Sequence, residues 1–403
     1  MINSPLLAGS SVADITPPLE VGLLTSAVNG LYAPFECVRL PLKARVLVFK
    51  SGTEMVAVVS LDLLSLNDTS VGGWDHFKQG ISDVIPAERI IICYTHTHTA
   101  PESAALSGLY LTETYRRWLE RVQIVIKEAI NEAVQTARVC SLSVSISKLD
   151  GYSMQRRIKT PAGIVMSDSI QPVAPELLNL EPIDHRVTSL YIHDRHGAGI
   201  ATVVHAICHA VHEMCIPRVS SEFPGEMCNE LELSSENGTA MFLNGAAGDT
   251  NPPTVSMGPE YSHRHGLALA DIARKAENQF HIDGSLFAFA NRNVQMSIRS
   301  ESNVTNELDA LARLNAIRIG SLAILFLPGE PFIDIALEIE KSSPFGHTVV
   351  VGYSENNIGY IPTEQAFCEG GYEIGPGKWS FLEKGADKVI ITNALQLLEG
   401  LYH

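Results

Sequence analysis

Residues 45–66 read RVLVFKSGTEMVAVVSLDLLSL, two runs of aliphatic and β-branched residues joined by Lys50-Ser51-Gly52-Thr53. Runs of this kind broken by a turn signal predict a β-hairpin, here with Asp62 at the end of its second strand. Outward from the hairpin, a helix is expected near 69–83. The strand RIIICYT (89–95) then runs directly into THTHTAPE (95–102). Between 113 and 136 the residues Tyr115, Trp118, Leu119, Val122, Val125, Ile126, Ala129, Ile130 and Ala133 recur at helical spacing, the apolar face of a long helix. SLSVSISKL (141–149) alternates as a strand does, and a polar, proline-containing stretch at about 158–183 reads as a surface excursion. TSLYIHD and GIATVVHAICHAV form a second hairpin around His196–Gly199. TAMFLNGAAGDTNPPT (239–254) is a strand opening into a glycine-rich loop. SLAILFLPGEPFIDIALEIEKS is a buried strand, a Pro-Gly turn at 328–329 and a helix. HTVVVGY, a loop over 353–380 and a helix near 386–399 finish the chain. Strands and helices mix throughout, with no repeat and no linker, which predicts one α/β sandwich domain over 1–403.

The chain has 403 residues, 45 % of them hydrophobic and 18 % charged, enough to bury a large core. Acidic residues number 45 against 29 basic ones, a net charge of −16, and no basic stripe interrupts this balance. Nucleic acid is therefore not expected as a partner. The first residues, MINSPLLAGSSVADITPP, carry neither a basic nor an apolar leader pattern, and no apolar run reaches spanning length. A cytoplasmic location without a membrane partner is the expectation. Seven cysteines (Cys37, Cys93, Cys140, Cys208, Cys215, Cys228, Cys368) form no CxxC pair and read as reduced thiols. In that compartment the sequons at Asn67, Asn237 and Asn303 carry no weight.

Six polar groups stand where apolar runs give way to loops: Asp62, His96, His98, His209, Asp249 and Glu330. Loops at strand ends are where a rigid scaffold presents its chemistry. His96 and His98 point to the same side if the strand continues through them. Zinc takes imidazole nitrogen and carboxylate oxygen, and a catalytic site keeps one position open. Two histidines and a glutamate would suit it. Spacing alone leaves their convergence open, and a hydrogen-bonded structural histidine is the other reading for each.

VADITPP, THTHTAPE, ICHAVHEM, NGAAGDTNP, LPGEPF and GYSENNIGYIPTEQAFCEGGYE occur in the order found in the neutral/alkaline ceramidase superfamily of zinc-dependent amide hydrolases. The resemblance spans about 8–373. It implies the mixed-sheet α/β sandwich of the ceramidase catalytic domain, without the immunoglobulin-like C-terminal domain. It also implies Zn2+ held by His96, His209, Glu330 and Tyr360. His98 and Tyr372 would face the substrate, and Arg156 falls on the family's active-site arginine, with Gln155 where the family has asparagine. Arg157 reads as a surface neighbour. Asp62 would accept a hydrogen bond from a ligand imidazole, and Glu222, where the family has aspartate, would orient a ligand. His205, His212, His263 and His265 read as structural or solvent-facing, with His212, three residues from His209, the first candidate for an exception.

One departure bears on mechanism. GDTNPP places Asn251 where the family carries a catalytic serine, with Thr250 before it. A carboxamide cannot act as an alkoxide, but it can donate a hydrogen bond to an oxyanion. The reading that results is a zinc-dependent hydrolase cleaving the C–N bond of a small soluble amide by metal-activated water. Asp249 and His98 are candidate bases. A carboxylester hydrolase and a catalytically silent metal-binding module that recognises a sugar or lipid are the alternatives. A homo-oligomer is left open.

Overall fold

A computed structural model describes residues 4–22, 33–214, 216–276 and 278–403. The opening hairpin forms as β2 (Lys43–Ser51) and β3 (Glu54–Leu61), with β1 (Leu7–Asp14) along its outer side. The further strands are β4 (Ile90–Tyr94), β5 (Arg138–Lys148), β6 (Arg186–Asp194), β7 (Gly199–Ala206), β8 (Thr239–Asn244) and β9 (Phe280–Ile282). They are followed by β10 (Phe287–Gln295), β11 (Leu311–Ile319), β12 (Leu322–Pro328) and β13 (His347–Ser354). Among the described residues these make one 13-stranded mixed sheet in the order β8-β7-β6-β5-β1-β2-β3-β4-β13-β12-β11-β10, with β9 beside β5. The pairs β3–β4, β7–β8 and β12–β13 are parallel, and the ladder between β1 and β5 is only two residue pairs long.

That short seam lets the sheet fold over on itself. Leu47, Phe49, Val56, Val58 and Ile91 from one half meet Leu142, Val144, Leu190, Val203 and Met241 from the other in a shared core. Ser60 Oγ donates across the gap to the Phe242 carbonyl at 2.7 Å. Helices close both outer faces. α1 (Trp74–Ile81) and α2 (Glu113–Gln135) cover β2–β4 through Phe77, Ile81, Trp118, Val122 and Ile126. α3 (Glu222–Glu232) and α4 (Pro259–Arg274) cover β7–β8 through Phe223, Met227, Leu231 and Leu269. α5 (Ile333–Ser342) and α6 (Ala386–Tyr402) cover β11–β13 through Ile335, Ile339, Ile390 and Leu398. The result is a four-layer α/β/β/α sandwich, the α/β class that the mixed pattern predicted.

Local chemistry explains where elements stop. Thr112 caps α2 by accepting from the Tyr115 amide, and Trp118 Nε1 donates to the Ile15 carbonyl at 2.8 Å, tying the helix to the N-terminal segment. The helix expected near 69–83 is split in two. Gly72 and Gly73 take φ of 72° and 113°, so a short turn over Asp68–Val71 ends before α1 begins. The stretch at 158–183 forms a small hairpin, Arg157–Thr160 with Gly163–Met166, and two 3-10 turns. The described cysteines form no disulfide, and Cys215 lies outside the described residues. No described helix is long and apolar enough to cross a membrane.

Candidate metal centre and active site

β4 ends at Tyr94, and the chain then turns sharply. His96 adopts φ 62°, its amide donates to the Leu63 carbonyl at 3.0 Å, and its Nδ1 lies 2.8 Å from the Leu64 carbonyl. The two-residue alternation of a strand therefore does not bring His96 and His98 together; this left-handed turn does. The His98 amide is held by the Ala210 carbonyl at 3.1 Å, which docks the segment against the loop that leaves β7. His209 sits on that loop, and both its amide and its Nδ1 meet the Thr250 carbonyl at 3.1 Å. His96 and His209 thus have Nδ1 committed to a carbonyl, which leaves Nε2 as a lone-pair donor into the centre, whereas His98 Nδ1 has no partner.

The Nε2 atoms of His96 and His98 are 3.3 Å apart, and one nitrogen of each of His96, His98 and His209 lies within 4.8 Å of the others. Glu330, just after β12, brings its Oε2 to 3.4 Å from His96 Nε2 and 3.2 Å from His209 Nε2. That oxygen is buried and satisfies no hydrogen-bond geometry despite its neighbours. Burial and the Arg156 charge push His209 down to about 4, and burial with His96 and His209 beside it lowers His98 well below the ordinary histidine value. Burial opposes the charge on Glu330, yet the two adjoining imidazoles outweigh it and hold the carboxyl well below its usual range. Three imidazoles and a carboxylate whose Oε2 is buried without a hydrogen bond are a donor set that fits a divalent transition ion.

The loop after β8 closes the centre from one side. A Cβ on Gly248 would stand 2.4 Å from the Glu330 carbonyl, so only glycine lets the two loops approach this closely. Asp249 is wholly occupied with holding these loops. Its Oδ1 accepts from the Ile333 amide and its Oδ2 from Gln155 Nε2, both at 2.9 Å, while its carbonyl accepts from the Arg156 amide at 2.8 Å. Burial raises its carboxyl to about 6. Asn251 is 3 % exposed and pairs through its backbone with Met154.

Tyr360 is paired alongside Glu330 through the backbone, and its buried ring lies 5.1 Å beneath the Arg156 guanidinium. Tyr372 is 44 % exposed at the rim, with its ring stacked on Trp379 at 5.4 Å and 5.9 Å from the same guanidinium. The structure thus brings His96, His98, His209 and Glu330 together, sets Arg156 against His209 with Tyr360 and Tyr372 beside it, and uses Asp249 to brace these loops.

Five side chains stand elsewhere than expected or went unnamed. Asp62 pairs with Arg45 at 3.3 Å and the Lys43 amide at 2.9 Å; the Leu64 carbonyl, not Asp62, meets the His96 ring. Arg157 is not a surface neighbour but 6 % exposed, donating to Glu373 Oε2 at 2.5 Å. Glu373 itself is fully buried, and Tyr353 lays its ring 4.3 Å from that of His96, with its hydroxyl unpartnered. Two consecutive arginines beside a buried site require a buried counter-charge, and that was the available signal for Glu373. Glu222 accepts from the Glu213 amide at 2.6 Å, and His212 meets His265 at 3.0 Å; neither has a described contact with the histidine centre.

Comparison with protein-family models finds no match, and comparison with curated proteins finds none either. Solved structures do match. Neutral ceramidase from Pseudomonas aeruginosa superposes with a TM-score of 0.77 at 18 % identity, over 99 % of this chain and 74 % of that one. A ceramidase complexed with C2 gives 0.78 at 17 % identity, over 99 % and 75 %. The recognition from short ordered motifs and the architecture agree: this chain has the neutral ceramidase fold.

Proposed function

We propose that this chain is a zinc-dependent hydrolase of the C–N bond in a small amide, with the ion held by His96, His209, Glu330 and Tyr360. The observation that carries this reading is the cluster of His96, His98 and His209, with the hydrogen-bond-free Oε2 of Glu330 against His96 and His209. A zinc ion in such a site supplies Lewis acidity, lowering the pKa of a water towards ~7 and polarising a carbonyl. The chain's own groups do the rest. His98, half-buried with its Nδ1 unpartnered, accepts the proton released during attack and returns it to the leaving nitrogen. Asp249 has both carboxylate oxygens engaged, so it holds the loops in place. The free Nη2 of Arg156, the Tyr372 hydroxyl and the Asn251 carboxamide are the donors available to a developing oxyanion. The two ceramidase structures favour an amide over an ester.

The test is to load the protein with zinc and assay matched amide and ester analogues in parallel. Faster amide turnover supports the proposal, and faster ester turnover replaces it with a carboxylester hydrolase. Asn251 in the serine position favours a second reading, a silent metal-binding module. Stoichiometric zinc without turnover of any analogue selects that reading.

A further inference from the structure

A buried cluster of charge lies beside the histidines rather than among them. Arg156 Nε donates to Glu373 Oε1 at 2.7 Å and Arg157 Nη1 to Glu373 Oε2 at 2.5 Å, so one fully buried carboxylate is clamped between consecutive arginines. Arg157 continues to Glu369 at 3.5 Å, and Lys159 meets Glu369 at 2.7 Å. Charges alternate along this chain from the site to the surface. Burial opposes ionisation of Glu373, but the two guanidinium groups outweigh it and hold its carboxyl below the usual range.

The clamp defines what Arg156 can offer. Glu373 takes its Nε edge, the rings of Tyr360 and Tyr372 lie 5.1 and 5.9 Å from its carbon, and Nη1 stands 3.3 Å from His209. Nη2 alone has no partner. Two guanidiniums face two carboxylates here, Arg156 and Arg157 against Glu373 and Glu369, with Lys159 out at the surface, so Arg156 presents directional N–H groups within a cluster of little net charge. A further carboxylate brought beside it would be desolvated without compensation. An uncharged oxygen would be accepted without that cost.

We propose that Glu373 is the positioning residue for Arg156 and that, by cancelling its charge, it makes the site select an uncharged substrate oxygen over an anionic one. This rests on the hydrolase reading. The test is Glu373→Gln, which keeps the shape and removes the charge, with folding checked by thermal unfolding. Turnover of a neutral amide is expected to fall about 10–100-fold, as for other residues that orient site groups. Preference should shift towards a carboxylate-bearing analogue by on the order of tenfold or more, because one buried negative charge is gone. The Arg156 Nε–H proton, followed by NMR in the zinc-loaded protein, should exchange about tenfold faster or more without its charged acceptor.

Glu373→Asp keeps the charge but is too short to bridge both arginines. It should retain the preference for neutral substrates while losing turnover, and it carries the test if the glutamine variant does not fold. An equal fall for both substrates with unchanged Nε–H exchange overturns the proposal. If the wild-type protein turns over no amide, the hydrolase reading fails on its own. The exchange rate and the relative binding of neutral and carboxylate analogues then still decide for or against the clamp.

Discussion

His96 carries an imidazole on a backbone at φ 62°, a conformation that costs a non-glycine residue about 1–2 kcal/mol. Such strain persists where surrounding contacts over-determine it, here the Leu63 and Leu64 carbonyls. His96→Ala is expected to lose both zinc and activity, whereas His98→Ala should keep most of its zinc and lose about 10²–10⁴ in kcat. Metal analysis beside steady-state kinetics checks the pair, and full zinc occupancy in His96→Ala would refute the ligand assignment. A second residue-level expectation concerns pH. Burial and the neighbouring Glu213 raise the Glu222 carboxyl to about 8. The folded chain then holds a proton that the unfolded chain has already lost, so this contribution is intact below about 4.5 and disappears as pH rises through 8. Thermal midpoints should fall across that window, and Glu222→Gln should flatten the profile. At this scale the histidines were legible because polar groups following an apolar run are conspicuous. The partners of those histidines were not. The acceptors for His96 and His209 are backbone carbonyls of Leu64 and Thr250, which leave no mark on residue type.

Elements differed in legibility for physical reasons. The hairpin and α2 were plain because their periods are regular over many residues. α3 was hidden because Pro224 and Gly225 sit in its first turns, although Phe223, Met227, Cys228 and Leu231 form a buried face. The turn through His96 defeated the alternation rule, since one left-handed residue re-aims everything after it. Two substitutions test the elements that frame the site. Gly248→Ala should press on the Glu330 carbonyl, cost about 1–3 kcal/mol in denaturant unfolding and weaken zinc binding. Trp118→Ala should cost about 3–5 kcal/mol by emptying the core between α2 and the sheet. Its zinc stoichiometry should be unchanged, because the cavity lies one layer away from the histidines.

Across the whole molecule, the α/β class was readable from the mixture of patterns, but strand order was not. Nothing local says that β7 pairs with β8 in parallel, or that the sheet folds at a two-pair seam. Residues 96, 209, 249, 330 and 360 converge only through that topology, so the site is a property of the assembled fold. A ligand bound by the native chain alone stabilises it by mass action. Chelation should therefore lower the thermal midpoint, and zinc should restore it in wild type but not in His96→Ala. An unchanged midpoint would argue against a metal bridging these loops. The stacked pair at the rim has a further use. Of the three tryptophans, Trp74 and Trp118 are sealed in the helical layer, while Trp379 lies flat against the half-open Tyr372. Any molecule entering past Tyr372 perturbs that stack, so the protein carries its own optical reporter, and a titration of its emission would read occupancy without a label or a chemical step.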